Sequence, residues 1–376
     1  MAIQLFTPTF RVDECLEEIR ECLEKGWTGL GFKTVEFENK WKEYTGLPNA
    51  HFLNSATVGL SLALKILKME YKWEDGDEVI TTPLTFVSTN HAIMYENLQP
   101  VFADVDEYLC LDPRDVEKKI TSKTRAIMFV GLGGNTGRYM EIVELCEKYN
   151  LKLILDAAHM AGTRLNGIIP GKEADVVVYS FQAVKNLPTA DSGMICFKES
   201  ELDELCRKLT WLGINKDTYA RANDKGAYKW KYDVEYVGYK YHGNSIMAAI
   251  GLVQLKYLDQ DNAYRRQLAE WYNQNFKEYH SKIKPVFVAE NCESSRHLYV
   301  IAVDNRDELL LALNESGIYP GVHYRDNTDY SMYNYAHGTC PNSHNISEKI
   351  ISLPMHLQLT KQDIDFISET VIKYTY

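Results

Sequence analysis

Leu151-Lys-Leu-Ile-Leu-Asp156-Ala-Ala-His159 and Val176-Val-Val-Tyr-Ser180-Phe-Gln-Ala-Val-Lys185 each begin as an apolar run of strand length and end in polar, chargeable residues. Runs of this kind are strands buried on both faces, which is the condition of a parallel sheet covered by helices. Working outward, similar runs lie at residues 50–53, 78–82, 100–105, 125–130 and 194–197, with helical patterns at 57–68, 86–96 and 139–148 between them. Two short amphipathic helices, 13–25 and 34–44, precede the alternation. The fold class is therefore α/β: a mainly parallel central sheet with helices on both faces. After residue 199 the rhythm changes. A long helix at about 245–279, a strand at 297–303, a helix at 306–316 and a last helix from 360 suggest a smaller C-terminal α+β domain, so the chain divides into 1–240 and 241–376.

Composition narrows the function. The 376 residues include 41 basic and 52 acidic side chains, a net charge of −11, which argues against nucleic acid as a partner because phosphate backbones demand surplus Lys and Arg. A small anion needs only a local positive patch and stays open. The opening residues carry no basic and apolar leader, and no run has the length of a membrane span. Eight scattered cysteines without a C-x-x-C pair read as buried hydrophobes, so neither a disulfide scaffold nor a metal site is expected, and a reducing cytoplasm is.

In parallel sheets ligands bind at the carboxyl ends of the strands. The first core strand ends in Asn54-Ser-Ala56-Thr57, directly before a helix. This is either an anion site built from helix N–H groups or a plain helix cap. Asp156 ends an otherwise apolar strand, where a carboxylate is costly unless a cation or donor meets it; a capping Asp with His159 in the core is the alternative. Lys185 follows Ser180 in a loop and is a candidate Schiff-base former, although loop lysines are often only solvated charges. Taken together, a phosphate cradle, a buried carboxylate and a lysine are what pyridoxal 5′-phosphate (PLP) requires. A rival reading takes Gly131-Leu-Gly133-Gly134-Asn-Thr-Gly137 and Asp156 as a dinucleotide βαβ unit of a nicotinamide oxidoreductase. Thr136 stands where the third glycine belongs.

The chain resembles the DegT/DnrJ/EryC1/StrS family of PLP-dependent nucleotide-sugar aminotransferases, of PLP fold type I. The likeness rests on Gly26-Trp-Thr-Gly-Leu-Gly31 with Phe37-Glu38, Asn54-Ser-Ala-Thr-Val-Gly-Leu60, Asp77-Glu-Val-Ile-Thr-Thr-Pro-Leu-Thr-Phe86 and Pro100-Val-Phe-Ala-Asp-Val105. It continues through Asp156-Ala-Ala-His159, Ser180-Phe-Gln-Ala-Val-Lys185-Asn186, Gly238-Tyr-Lys-Tyr241 with Ala248-Ala-Ile-Gly-Leu252, and Leu353-Pro-Met-His356. The resemblance implies that Lys185 anchors the cofactor and shuttles the proton, passing through PLP and its amine form PMP. It implies further that Asp156 keeps the pyridine nitrogen protonated, Phe86 stacks on the ring, His159 sits near the ring hydroxyl, and Ser180 with Ala56 and Thr57 holds the phosphate. Thr28, His323 and Arg325 fall in segments near the sugar. The usual donor is L-glutamate, leaving 2-oxoglutarate. The usual acceptor is a keto-deoxy sugar on a nucleotide diphosphate, of the 3- or 4-keto-6-deoxyhexose class, and the usual assembly a homodimer with shared sites. A dehydratase branch of the family has His at the lysine position, so Lys185 points to amino transfer.

Departures concern the acceptor. The neighbour-subunit Asn expected after Gly-Tyr-x-Tyr is His242, preceded by Lys240; either cation can replace it, or the contact is lost. The usual glycine-rich turn after the lysine is Ala190-Asp-Ser-Gly193, the strand before residue 131 ends in Gly131-Leu-Gly-Gly134 without the usual His, and Phe32 stands where Pro is common. Tyr228 to Tyr241 interleaves aromatics with Lys229, Lys231 and Lys240, which suits either a base and diphosphate or a dimer hairpin. A regulatory protein that keeps the pocket without turnover is a further alternative, opposed by the intact Lys185, Asp156 and Ser180.

Overall fold

The computed structural model describes residues 2–215, 219 and 232–375. The strands in chain order are β1 (Ile3–Gln4), β2 (His51–Leu53), β3 (Glu78–Thr81), β4 (Gln99–Phe102), β5 (Thr124–Val130), β6 (Lys152–Asp156), β7 (Arg164–Leu165), β8 (Val176–Ser180), β9 (Gly193–Phe197), β10 (Lys284–Pro285), β11 (Cys292–Glu293), β12 (Tyr299–Ala302), β13 (Ile318–Tyr319) and β14 (Ile350–Leu353). Seven of them form the central sheet in the order β2-β9-β8-β6-β5-β3-β4. The pairs β3–β4, β3–β5, β5–β6 and β6–β8 are parallel, whereas β9 runs antiparallel to both β2 and β8. Periodicity could not show that reversal, since an apolar strand reads alike in either direction.

Two apolar clusters cover the two faces of this sheet. One gathers Phe37, Trp41, Phe129, Leu155 and Tyr179; the other gathers Leu60, Leu64, Val79, Met128, Ile154 and Val178. Because successive side chains of a strand alternate, Asp156 lies on the face of Ile154, the face packed by the helix Ala56–Tyr71. Gly59 makes that packing close: a Cβ there would come within 2.8 Å of Val178. The carboxyl ends of β5, β6 and β8 are in register through Val130, Asp156 and Val178, which places Asp156 and Ser180 along one edge.

The long helix Ser245–Phe276 begins at Asn244, whose side chain accepts from Met247 N, and leads to a separate cluster including Tyr272, Tyr299, Leu313, Leu353 and Ile367. There β10, β12 and β14 form a small antiparallel sheet, and β1 pairs in parallel with β13. The first residues of the chain thus join strands more than three hundred residues away. Three further elements were not expected from the sequence. The helix Pro113–Lys119 is short and polar, and shows only in its Asp112 cap followed by proline. The helix Ser200–Thr210 has a readable stripe of Leu202, Cys206 and Leu209, but it interrupts no strand alternation. The strand β14 is a run of only four residues.

Phe37-Glu38, part of the family likeness, proves to be structural. Glu38 is buried, with Arg207 Nη1 at 2.9 Å, His51 Nδ1 at 2.9 Å and the Phe52 N–H at 2.8 Å, so it ties the helix Phe32–Thr45 to β2 and to the helix Ser200–Thr210. Burial opposes its charge, but Arg207 and His51 win and hold its carboxyl down at about 2, against an ordinary 4.5. A depressed folded pKa contributes stability above the unfolded value, lost as pH falls through the window between those two numbers. Glu38→Gln should lower unfolding free energy by about 3 kcal/mol, the lower end of the range because Arg207 is partly exposed. Denaturant titrations at neutral pH and near pH 3 should show the gap between wild type and variant closing on acidification.

Candidate active site

At the carboxyl edge of the sheet lies a cavity of about 500 Å³, lined among others by Ala56, Thr57, Phe86, Asp156, His159, Ser180, Lys185 and His323. Each is delivered by a local feature. Ser55 caps the helix Ala56–Tyr71, its Oγ accepting from Val58 N. The N–H groups of such a first turn have no acceptor inside the helix, and Ala56 and Thr57 bring theirs to the cavity wall. Strand β9 passes the same turn so closely that a Cβ on Gly193 would lie 2.7 Å from Ala56 N and 2.8 Å from Tyr179 O. Gly193, from the divergent turn after Lys185, is thus required by the approach of backbone to backbone. Ser180 ends β8, its Oγ accepting from Gln182 N at 3.4 Å.

Asp156 is buried and accepts from Thr89 Oγ1 at 2.8 Å and from Ala158 N at 3.1 Å. Burial nevertheless raises its pKa, the two donors and Lys185 offsetting only part of the cost. A cationic N–H donor on its open side would restore the carboxylate. Lys185 is shifted the other way. Burial lowers its amine to about 8, with Asp156 pulling it partly back up. The amine is therefore half deprotonated near the upper end of the physiological range, as a nucleophile and proton carrier needs to be. Phe86 keeps 57% of its surface exposed, a large apolar ring left open toward the cavity.

Three histidines line the same space, and their hydrogen bonds define their tautomers. Asn262 Nδ2 donates to Ala161 O at 2.9 Å; Asn186 Nδ2 donates to Asn262 Oδ1 and to Ser295 O, both at 2.7 Å. That leaves Asn186 Oδ1 facing His297 Nδ1 at 3.0 Å, so His297 carries its proton on Nδ1. His159 accepts from Gly133 N at 3.2 Å on Nδ1, which puts its proton on Nε2, 3.4 Å from Tyr324 Oη. His323 Nδ1 lies 2.9 Å from Ser352 Oγ. Burial, reinforced by the Lys185 charge, keeps all three neutral: His159 and His297 well below their ordinary range, His323 at about 4.

These donors and the glycine turn bear on the rival reading. Gly133 and Gly134 have positive φ, and a Cβ on Gly134 would meet Ser295 Oγ at 2.2 Å. The turn is filled by its own protein, and its Gly133 N–H holds His159 instead of facing a pyrophosphate. A nicotinamide site is not built there. The residues of the cavity fit PLP: the helix N-terminus and Ser180 would suit its phosphate, Asp156 a pyridinium, Phe86 a ring face and Lys185 an aldehyde.

A family model described as the DegT/DnrJ/EryC1/StrS aminotransferase family matches residues 11–372. The chain belongs to that family. It is 34% identical to the spore coat polysaccharide biosynthesis protein SpsC of Bacillus subtilis, over 95% of this chain and 93% of that one. Helicobacter pylori PseC, an aminotransferase involved in the biosynthesis of pseudoaminic acid, superposes with a TM-score of 0.91 at 28% identity, covering 100% and 99% of the two chains. The PLP form of the putative sugar aminotransferase Spr1654 of Streptococcus pneumoniae gives 0.90 at 28%, covering 100% and 98%. The enzyme is a PLP-dependent sugar aminotransferase of fold type I.

Four expected site residues lie away from this cavity. Lys240 Nζ sits 3.1 Å over the Trp211 ring and His242 4.6 Å from it, ring to ring, on the segment that bridges to β2. Thr28 is exposed and its carbonyl accepts from Ser245 N at 3.2 Å. Arg325 turns outward, 3.9 Å from Asp329 and over the Tyr330 ring. Of the aromatic and basic stretch from 228, residues 228–231 lie outside the described residues. Conversely, the sequence reading missed Phe6, Thr89, Asp191, His297 and Tyr324 as lining residues. Thr89 had a local signal, one helical turn after Phe86; Asp191 lies in the turn singled out after Lys185 and Tyr324 next to His323. Phe6 and His297 arrive from remote segments.

Removing the charge of Asp156 should lower the Lys185 amine further, since that charge is what raises it. In Asp156→Asn, the pH midpoint for capture of added PLP by the apoenzyme, read from its visible absorbance, should move below that of the wild type.

Proposed function

We propose that this aminotransferase moves the amino group of L-glutamate onto a keto-deoxy sugar carried by a nucleotide diphosphate, of the 3- or 4-keto-6-deoxyhexose class, for amino-sugar biosynthesis. The observation that carries the reading is the single cavity that joins Lys185, Asp156 and the helix-start phosphate cradle, with space beyond them. Bound PLP supplies the carbonyl carbon that receives the amino group and the electron sink that stabilises the carbanion. Asp156 holds the ring nitrogen protonated, Ser180 with the Ala56–Thr57 turn holds the phosphate, and His159 Nε2–H offers a donor beside the ring. Lys185 Nζ, released when the donor amine enters, would take the proton from the donor Cα as general base and deliver it as general acid to the carbon that keeps the amine. For the acceptor the same groups act in reverse order.

The wider reading has several supports. SpsC serves spore coat polysaccharide biosynthesis and PseC the biosynthesis of pseudoaminic acid, so a cell-surface glycan such as the O-antigen of lipopolysaccharide is the favoured destination. Among the described residues lining the cavity, Lys185 is the one cation, beside the acids Asp156 and Asp191. A sugar diphosphate therefore calls for cations from elsewhere, and Lys240 and His242, which do not line their own cavity, suit the cavity of a second subunit in a homodimer. The eight cysteines are all free, which favours the cytoplasm. Among the described residues no helix is long and apolar enough to cross a membrane.

Glutamate added to the PLP-loaded enzyme should bleach its visible absorbance and release 2-oxoglutarate. A keto nucleotide sugar should then restore the absorbance and yield an amino sugar. Lys185→Ala should lose turnover by at least about a thousandfold; turnover at the wild-type rate in that variant would sink the assignment.

A further inference from the structure

The N-terminal arm carries a ring into the cavity that no motif announces. Phe6 lines it together with Lys185, Phe86, His297, His323 and Tyr324. Its ring lies parallel to His297, 5.2 Å between centroids at 12°, and edge-on to His323 at 5.8 Å. The arm is tied on both sides of that ring. Ile3 and Gln4 pair with Ile318 and Tyr319, and Leu5 O accepts from Met355 N at 3.0 Å. Thr9 O accepts from Gln254 Nε2 at 2.8 Å, and Arg11 binds Asp261 through both terminal nitrogens at 2.7 and 2.6 Å. Gly321 lets the arm close in, since a Cβ there would stand 2.6 Å from Leu5. A ring held this way loses little freedom when a ligand packs on it.

The imidazoles packed on the ring are uncharged. His297 and His323 are neutral, their Nδ1 atoms already engaged by Asn186 and Ser352. A hydroxyl or carboxylate packed on the face of the Phe6 ring gives up water for a surface that offers no hydrogen bond, and the one cation among the described lining residues is Lys185, which the reaction itself employs.

We propose that Phe6 sets acceptor specificity: its ring is the wall against which the deoxy carbon of the keto sugar packs, so that sugars bearing a hydroxyl or carboxylate on that carbon are disfavoured. The inference rests on the acceptor being a keto-deoxy sugar and names the residue that reads the deoxy position.

The test compares two keto nucleotide sugars that differ only in the 6-hydroxyl. Wild type should favour the 6-deoxy sugar in kcat/KM by about ten- to a hundredfold, the usual reach of an apolar pocket. Phe6→Ala should raise KM for the 6-deoxy sugar about tenfold and erase the preference. Calorimetry of the amino-sugar product should show the same tenfold loss of affinity. Phe6→Tyr keeps the ring and the arm packing, and should narrow the preference by improving the 6-hydroxy sugar, which covers the case in which the alanine variant fails to fold. A wild-type preference retained in both variants would overturn the role of Phe6 while leaving the aminotransferase reading intact. An enzyme that glutamate bleaches but that neither sugar restores would overturn the acceptor reading, and the role of Phe6 with it.

Discussion

Asp156, buried, and Lys185, half-buried, share one pocket, and much of the structure exists to make that tolerable. An apolar strand end is an expensive place for a carboxylate and a worse one for an ammonium. The protein meets the cost with few donors: one hydroxyl from Thr89, one N–H from Ala158, and the attraction of the two charges for each other. The balance is incomplete, since both groups stay shifted toward their neutral forms. A cofactor that brings a protonated ring nitrogen to the acid and a carbonyl carbon to the amine removes both deficits at once. The site is thus primed for its ligand by the same burial that leaves it strained alone.

Much of this was legible in the sequence, for a physical reason. Strands buried on both faces must be apolar throughout, so 152–155 and 176–181 announce themselves and their polar ends stand out as anomalies. Asp156, Ser180 and Lys185 were found because they break a pattern. The reversed direction of β9 was invisible, because pairing direction leaves no trace in an all-apolar strand. Phe6 and His297 were invisible as site residues for another reason. Nothing in Phe6 or its neighbours marks it as more than a partly buried aromatic, and its position depends on a two-residue pairing across most of the chain. Arg325, a candidate for hydroxyl or phosphate contacts or else a surface-loop residue, lies 3.9 Å from Asp329 and over the Tyr330 ring, outside the cavity lining, a partnership that its own sequence neighbours four and five residues on provide.

The glycine turn after β5 illustrates how one motif serves two physical ends. Glycines at positive φ let a backbone come close to something, and the sequence does not say to what. In a dinucleotide site the neighbour is a pyrophosphate. Here it is Ser295 on one side and the His159 ring on the other, so the exposed N–H groups are spent on orienting an imidazole.

The amide chain from Ala161 through Asn262 and Asn186 to His297 joins three parts of the molecule that are far apart in sequence. Asn262 belongs to the long helix, Asn186 follows the catalytic lysine, and His297 precedes the small sheet. The place of the proton on His297 is therefore settled by how the C-terminal part sits on the large sheet. Any hinge motion that parted these amides would also release the imidazole to exchange tautomers, turning a donor into an acceptor. The packing of the long helix on the large sheet and the hydrogen-bonding character of the cavity wall are thereby tied together.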